Sequence, residues 1–216
     1  MGAVIGDLLP MALGIAISPI PIIAAILMLL GRRARTTGLG FAAGWVVGVL
    51  AATTLFTVLG SSSGSSGTTA GWVKLGLGVL LLVEGVREWR VRSGPQSTPK
   101  WMAAIDEMTP LTGAGIGFAL AAINPKNLML CIAAGMQIGT AAMSTGGTAV
   151  TIVVFGALAS STVAVPVVAY QLAEQRLRDP LAQLKAWLDD NNKTVMAVLI
   201  LVIGVVLIGK GIGSVT

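Results

Sequence analysis

Apolar residues in this chain come in long, nearly unbroken runs divided by short polar stretches, not in the stripes of a soluble amphipathic helix. Six runs stand out, at about 4–30, 39–59, 71–89, 111–136, 148–172 and 195–212. About 20 apolar residues cross roughly 30 Å of hydrocarbon as helix, and short alternating strands of the kind that close a barrel are missing. The pattern predicts an all-α integral membrane protein with six transmembrane helices.

Two of the runs are interrupted at membrane depth. In the first, Ser18-Pro19-Ile20-Pro21 sits among isoleucines; in the fourth, Asn124-Pro125-Lys126-Asn127 divides the run. Proline removes a backbone donor and clashes with the preceding turn, and hydrocarbon offers no water in exchange. Such a break must be packed in protein or line a cavity. The first and fourth helices are therefore expected to be broken, and the two breaks to form the working centre.

The polar stretches set the expected orientation. Arg32, Arg33 and Arg35 follow the first run, and Arg87, Arg90 and Arg92 close the third. The stretches 61–70 and 137–147 carry no charge. By the positive-inside rule the basic stretches lie in the cytoplasm, which puts both termini outside a multi-pass protein of the cytoplasmic (inner) membrane. The N-terminus lacks a basic leader and is read as a retained span. Helices one and four then run in opposite directions, as do two and five. Two inverted three-helix repeats, 1–92 and 111–216, each opening on a broken helix, are the pattern of an inverted-repeat transporter. The connection 93–110 reads as a cytoplasmic linker, with Trp101, Ile105 and Met108 spaced for a short interface helix. Leu177, Leu181, Leu184 and Leu188 suggest a second amphipathic helix near 173–189. Gly40, Gly44 and Gly48 offer the second helix a flat face for close packing.

Composition agrees with the membrane class: 55% of the 216 residues are hydrophobic and 11% charged, with a mean hydropathy of +0.88. The net charge of +5 is explained by topology, so nucleic acid is not an expected partner. One cysteine, Cys131, and no histidine exclude an intrachain disulfide, a paired-thiol relay and the usual zinc and haem ligation. No metal or cofactor is expected.

Lys126 reads as the only charged side chain well inside a span. An ammonium there costs about 2.5–3.5 kcal/mol on insertion scales, so it marks a candidate site, against the alternative that it snorkels to the surface. Beside loosened helix ends it would suit an anionic group such as phosphate, sulfate or carboxylate. Ser18, Pro19, Pro21, Asn124, Pro125, Lys126 and Asn127 are the candidate substrate-binding residues. Thr53, Thr54, Ser160, Ser161 and Thr162 are candidates for lining a cavity. Glu84 and Asp7 are candidate proton carriers, against an i,i+3 pair with Arg87 for the first and an exposed helix start for the second. A hydrolase built on Ser18 and Lys126 has no supporting motif, and no sequence feature brings the two within reach. No enzymatic activity is expected.

The Ser-Pro-Ile-Pro break, the following Gly31-Arg32-Arg33-Ala34-Arg35-Thr36 and the Ile123-Asn124-Pro125-Lys126 motif resemble the lysine exporter (LysE) transporter superfamily. Within it the whole chain most resembles the GAP family of sulfolipid-1-addressing or peptidoglycolipid-addressing proteins of mycobacteria and other actinobacteria. The amino-acid exporter branch typically has Pro-Gly-Pro where this chain has Pro19-Ile20-Pro21. The thiol-transfer branch needs two cysteines, and the metal-exporting branches lean on intramembrane acids. The resemblance implies export or flipping of an anionic lipid, glycolipid or other cell-envelope component, with proton coupling as one driving force. Efflux of a small amino acid or similar solute is the alternative within transport. A non-transporting accessory subunit of an envelope-lipid synthesis complex is the alternative outside it. Membrane lipids, and a homodimer or envelope-synthesis partner, are the partners considered. A cavity open sideways to lipid would favour the lipid substrate, and a small closed polar pocket the solute.

Overall fold

The computed structural model describes residues 1–62, 67–91 and 108–215, and these hold helices and no strand. In chain order the helices are α1 (Gly2–Ala16), α2 (Pro19–Leu30), α3 (Ala34–Ser62), α4 (Gly67–Val91), α5 (Pro110–Ala122), α6 (Pro125–Thr140) and α7 (Thr145–Val215). Helices α3 and α7 are each long and apolar enough to cross a membrane. Helices α1 and α2 meet that test only as a pair bent by 53°, and α5 and α6 as a pair bent by 62°. Both bends fall where proline opens the second helix of the pair, at Pro19 and at Pro125. The expected linker and interface helix of 93–110 lie outside the described residues, apart from their last three positions.

Helix α7 differs from expectation. Two separate spans and a detached amphipathic helix near 173–189 are expected; the chain instead forms two arms that meet at Ala173, whose φ of −144° and ψ of 48° are non-helical. The second arm then runs through Asn191-Asn192 and into the apolar 195–212 stretch without a further break. Asparagine is only a modest helix breaker, and Asn191 keeps the turn closed by donating Nδ2 to the Trp187 carbonyl at 2.8 Å. Leu177, Leu181 and Leu188 pack on the core, and Leu184 stays exposed. Helix α3 likewise continues to Ser62 and α4 starts at Gly67, so helix covers both ends of the uncharged loop expected over 61–70.

Side-chain contacts define the two ends of the bundle. Arg35 on α3 pairs with Glu174 of α7, Thr37 donates to the Met108 carbonyl ahead of α5, and Lys193 of α7 donates to the Val91 carbonyl that ends α4. At the opposite end Lys210 of α7 pairs with Asp7 of α1, and Lys74 of α4 reaches Ser214. The clustered arginines among the described residues therefore share one end.

Glycine rows set how closely the helices approach. A methyl group on Gly40 or Gly44 of α3 would overlap the carbonyl of Pro110 or Ala114 in α5, and one on Gly117 would overlap that of Phe41. Gly135 and Gly139 continue the same contact from α6 onto Thr53 and Thr57. Helix α3 thus lies along the whole bent α5–α6 pair. A second row, Gly71, Gly78 and Gly85 on α4, faces Gly204, Gly211 and Leu201 on the second arm of α7. Spacing by four in the first row and by seven in the second keeps each on one helix face. Replacing Gly44 by alanine should cost about 1–3 kcal/mol, the range for overpacking against rigid backbone. Gly115→Ala meets nothing within 4 Å and should be neutral or stabilising by up to ~1 kcal/mol, which paired melting curves in detergent would check.

Candidate functional site

The two bends meet. Ser18 is the N-cap of α2, Asn124 that of α6, and residues next to each cap join the two across the bundle. The Lys126 ammonium donates to Ser18 Oγ at 2.7 Å, and Ser18 Oγ donates onward to Asn127 Oδ1 at 3.1 Å or the Gly14 carbonyl at 3.3 Å. Asn127 Nδ2 donates to the Leu120 carbonyl at 2.9 Å, and the Asn124 side chain accepts from the Lys126 amide at 3.1 Å. Ser18 and Lys126 are 108 residues apart in sequence, and their proximity is the main feature that sequence reasoning lacked.

These bonds follow from what a broken helix leaves unpaired. At the end of α1 the Ser18 amide turns back to the Ile15 carbonyl, so Gly14 loses its usual backbone donor and takes the Ser18 hydroxyl instead. The Ala16 carbonyl takes Thr162 Oγ1, from the first arm of α7. At the end of α5 the Asn124 amide turns back to Ala119, and Leu120 takes the Asn127 side chain. Proline also lowers the number of amides left over: Pro19 and Pro21 remove two from the first turn of α2, and Pro125 removes one from α6. Side chains of one broken helix, or of its neighbour, thus do what water would do in a soluble protein. Thr162→Val should leave the Ala16 carbonyl bare and destabilise by about 1–3 kcal/mol. Ser161→Ala removes only a bond to Leu158 on its own helix and should be nearly silent in the same thermal assay.

Electrostatically the junction is one-sided. Lys126 has Ser18 Oγ and, at 3.9 Å, the Met196 sulfur as side-chain partners, and among the described residues no carboxylate pairs with it. The starts of α2 and α6 add the partial positive charge of helix N-termini. Ser18, Lys126 and Asn127 are only 2%, 8% and 1% exposed, so Lys126 does not snorkel to the surface and the junction is closed.

The family model described as Sap, sulfolipid-1-addressing protein, matches residues 8–213. The chain belongs to the sulfolipid-1-addressing protein family. No curated protein and no solved structure matches it.

The other candidate residues of this sulfolipid-1-addressing family member are spread over the bundle. Thr53 is buried and its hydroxyl has no hydrogen-bond partner among the described residues, whereas Thr54 is exposed. Ser160 is buried on α7, two residues before the Thr162 that reaches the first break. Glu84 is exposed and forms the i,i+3 pair with Arg87 at 3.5 Å. Asp7 pairs with Lys210, 11 positions before Ser18, which is about 16 Å along the helix. Neither carboxylate joins the junction.

A second buried cation escaped the sequence reading, which held Lys126 to be alone. Lys74 on α4 is 7% exposed, with Nζ 3.5 Å from Ser214 Oγ and Asp7 and Lys210 within electrostatic reach. Two apolar grooves, of about 370 and 500 Å³, also lie on α4; Val86 and Arg90 line both, and the smaller one continues onto the second arm of α7 through Val198 and Leu201.

Proposed function

We propose that this protein is a six-span transporter of inverted-repeat type that exports or flips an anionic lipid or glycolipid of the cell envelope. The observation that carries the proposal is Lys126: a buried ammonium, without a carboxylate partner among the described residues, held where two broken helices meet. Left uncompensated, a charge costs several kcal/mol at membrane depth, and proteins keep such a residue where an ion or substrate takes the partner's place. Two helix N-termini beside it favour an anion further. Membership in a family described as sulfolipid-1-addressing supports a sulfated or otherwise anionic lipid as that substrate.

The helix pairing supports an inverted repeat. Helix α3 packs along the bent α5–α6 pair, the first arm of α7 meets α1 through Thr162, and α4 packs on the second arm of α7. In terms of spans, the second lies on the fourth, the fifth on the first and the third on the sixth, the exchange that a two-fold axis in the membrane plane would produce. With the arginine-rich end in the cytoplasm, both termini lie outside. The closed junction is the occluded stage of an alternating-access cycle, in which rocking of the halves would expose Lys126 to each side. Asp7 and Glu84 have ion-pair partners away from Lys126, so this reading gives them structural roles and leaves the driving force open.

The test is reconstitution. Vesicles containing the protein should move a fluorescent sulfated glycolipid between leaflets, measured as loss of signal to an impermeant quencher, faster than protein-free vesicles. A rate equal to theirs across sulfated, phosphorylated and carboxylated lipids would reject the lipid substrate; accumulation of a small anionic solute instead would favour the efflux reading.

A further inference from the structure

A second concentration of positive charge lies away from Lys126, at the arginine-rich end of the bundle. Where α2 turns into α3, Arg32, Arg33 and Arg35 line a cleft of about 350 Å³. It adjoins another of about 630 Å³, which opens beside the break at Ala173 and is lined by Arg176 and Arg178; Arg35, Glu174 and Arg178 border both. Five arginines thus converge from two segments about 140 positions apart. The single carboxylate among them, Glu174, is already engaged by Arg35 at 3.3 Å and by the Tyr170 hydroxyl at 3.2 Å. Among the described residues the other four have no carboxylate partner.

A topology signal alone does not account for this. It needs arginines near the membrane edge, on any face, and repulsion would spread them apart. Here they are gathered in a concave site whose frame is fixed: Gln171 donates to the Arg35 carbonyl at 3.2 Å, and the Tyr170 ring is wholly buried beneath. The first turn of α3 forms part of the smaller cleft, so the partial positive charge of a 29-residue helix is added.

We propose that the paired clefts bind a phosphate or sulfate ester. Such an anion offers three oxygens to planar guanidinium forks, which can hold two of them at once, and a basic pocket between helices is a known chemistry for anionic headgroups. Helix α2 connects this site to the junction: its 12 residues, about 18 Å of helix, run from Ser18 to Leu30, next to Gly31 of the smaller cleft. The clefts are thus a loading station from which a headgroup passes to Lys126. The station role rests on the transporter reading, whereas the anion site does not.

Full-length protein in phosphatidylcholine nanodiscs, titrated with dihexanoyl phosphatidic acid and separately with inorganic phosphate, tests this against empty nanodiscs. Arg33 and Arg178 are exposed, so the double variant Arg33→Gln, Arg178→Gln should fold, with an unchanged melting curve as the check. It should weaken binding by roughly tenfold or more, as loss of two charge-assisted contacts requires. Arg87→Gln, at an exposed arginine outside both clefts, should leave binding as it is. Arginine-dependent binding of phosphatidic acid alone supports an ester read on a lipid, and of both probes an anion read free of its lipid. Binding of neither probe, or binding that survives the arginine substitutions, overturns the site. Binding lost only with Lys126→Met also overturns it and leaves the junction as the anion site. If the clefts bind and vesicle transport is absent, the transporter reading alone fails.

Discussion

Replacing Lys126 by methionine should abolish transport while leaving the protein as stable as before, or more stable. Substitutions at a buried, multiply bonded residue ordinarily cost stability, and the opposite is expected here because of what Lys126 lacks. Its ammonium is 8% exposed and meets a hydroxyl and a thioether, without a carboxylate among the described residues. A hydroxyl partner compensates little of the loss of hydration, so an isosteric apolar chain removes more penalty than attraction. Ser18 keeps its bonds to Gly14 and Asn127, so no buried polar atom is orphaned by the change. Transport should fall by about 10- to 100-fold, because a hydrogen bond to a charged group contributes ~1.5–3 kcal/mol and each 1.4 kcal/mol is a factor of ten. Leaflet exchange and a thermal melt on the same preparation would check both halves. A variant that transports normally would remove Lys126 from the substrate path. One that is inactive because it melts far below the parent would make the lysine structural.

Lys126→Arg separates charge from shape. The guanidinium keeps the positive charge, but it is larger, planar and unable to occupy the space 2.7 Å from Ser18 Oγ without moving α2 or α6. Partial transport with reduced stability is expected.

The breaks themselves were legible because proline is a strong local signal where it is paired or follows a polar cap: Ser18-Pro19-Ile20-Pro21 and Asn124-Pro125 mark the two bends, whereas the isolated Pro10, Pro166 and Pro180 are carried inside helices. The glycine face at Gly40, Gly44 and Gly48 was legible for the same reason, since its period identifies it without knowledge of the partner. Its partner was not. That α3 lies on α5 and α6 depends on complementary glycines more than 60 positions later, at Gly113, Gly117, Gly135 and Gly139. The continuity of α7 past residue 189 was obscured by polarity: Asp189 to Lys193 reads as a loop by composition, yet none of these residues removes an amide or forbids helical dihedrals. Lys74 was hidden by the opposite effect. It lies three residues into an apolar stretch, where a lysine is expected to reach water, and only the fold shows that the end of α7 covers it. The Ser18–Lys126 contact is a tertiary fact with no local cause. Each residue has a reason to be at its own break, and only the crossing of the two bent pairs brings them together.

Ser18 decides between two chemistries that this contact allows. A serine hydroxyl 2.7 Å from a lysine amine is also the spacing of a nucleophile and its base, so the proximity reopens the hydrolase reading that no motif supports. In the observed arrangement the lysine donates to Ser18 and the serine hydroxyl donates to the Asn127 or Gly14 carbonyl oxygen, neither of which is a base able to take its proton. As a positioning partner for a cation, Ser18 should tolerate loss of its hydroxyl: Ser18→Ala should reduce transport by only about tenfold, the low end for one hydrogen bond to a charged group (~1.5–3 kcal/mol), because the charge of Lys126 itself stays in place. Ser18→Asp should be far worse. Ser18 makes no side-chain cap bond to α2, so the helix start should survive, but the new carboxylate would sit beside the ammonium and occupy it as a permanent internal anion. Transport should then fall as far as in Lys126→Met, with the melting temperature held or raised by the new ion pair. A nucleophilic Ser18 predicts the reverse order for alanine: complete loss of activity with Ser18→Ala, and covalent labelling of the parent by a fluorophosphonate that the variant does not show. Parent protein that remains unlabelled, together with a mild alanine and a severe aspartate, would establish the junction as an anion site held open by a lysine that has no partner of its own.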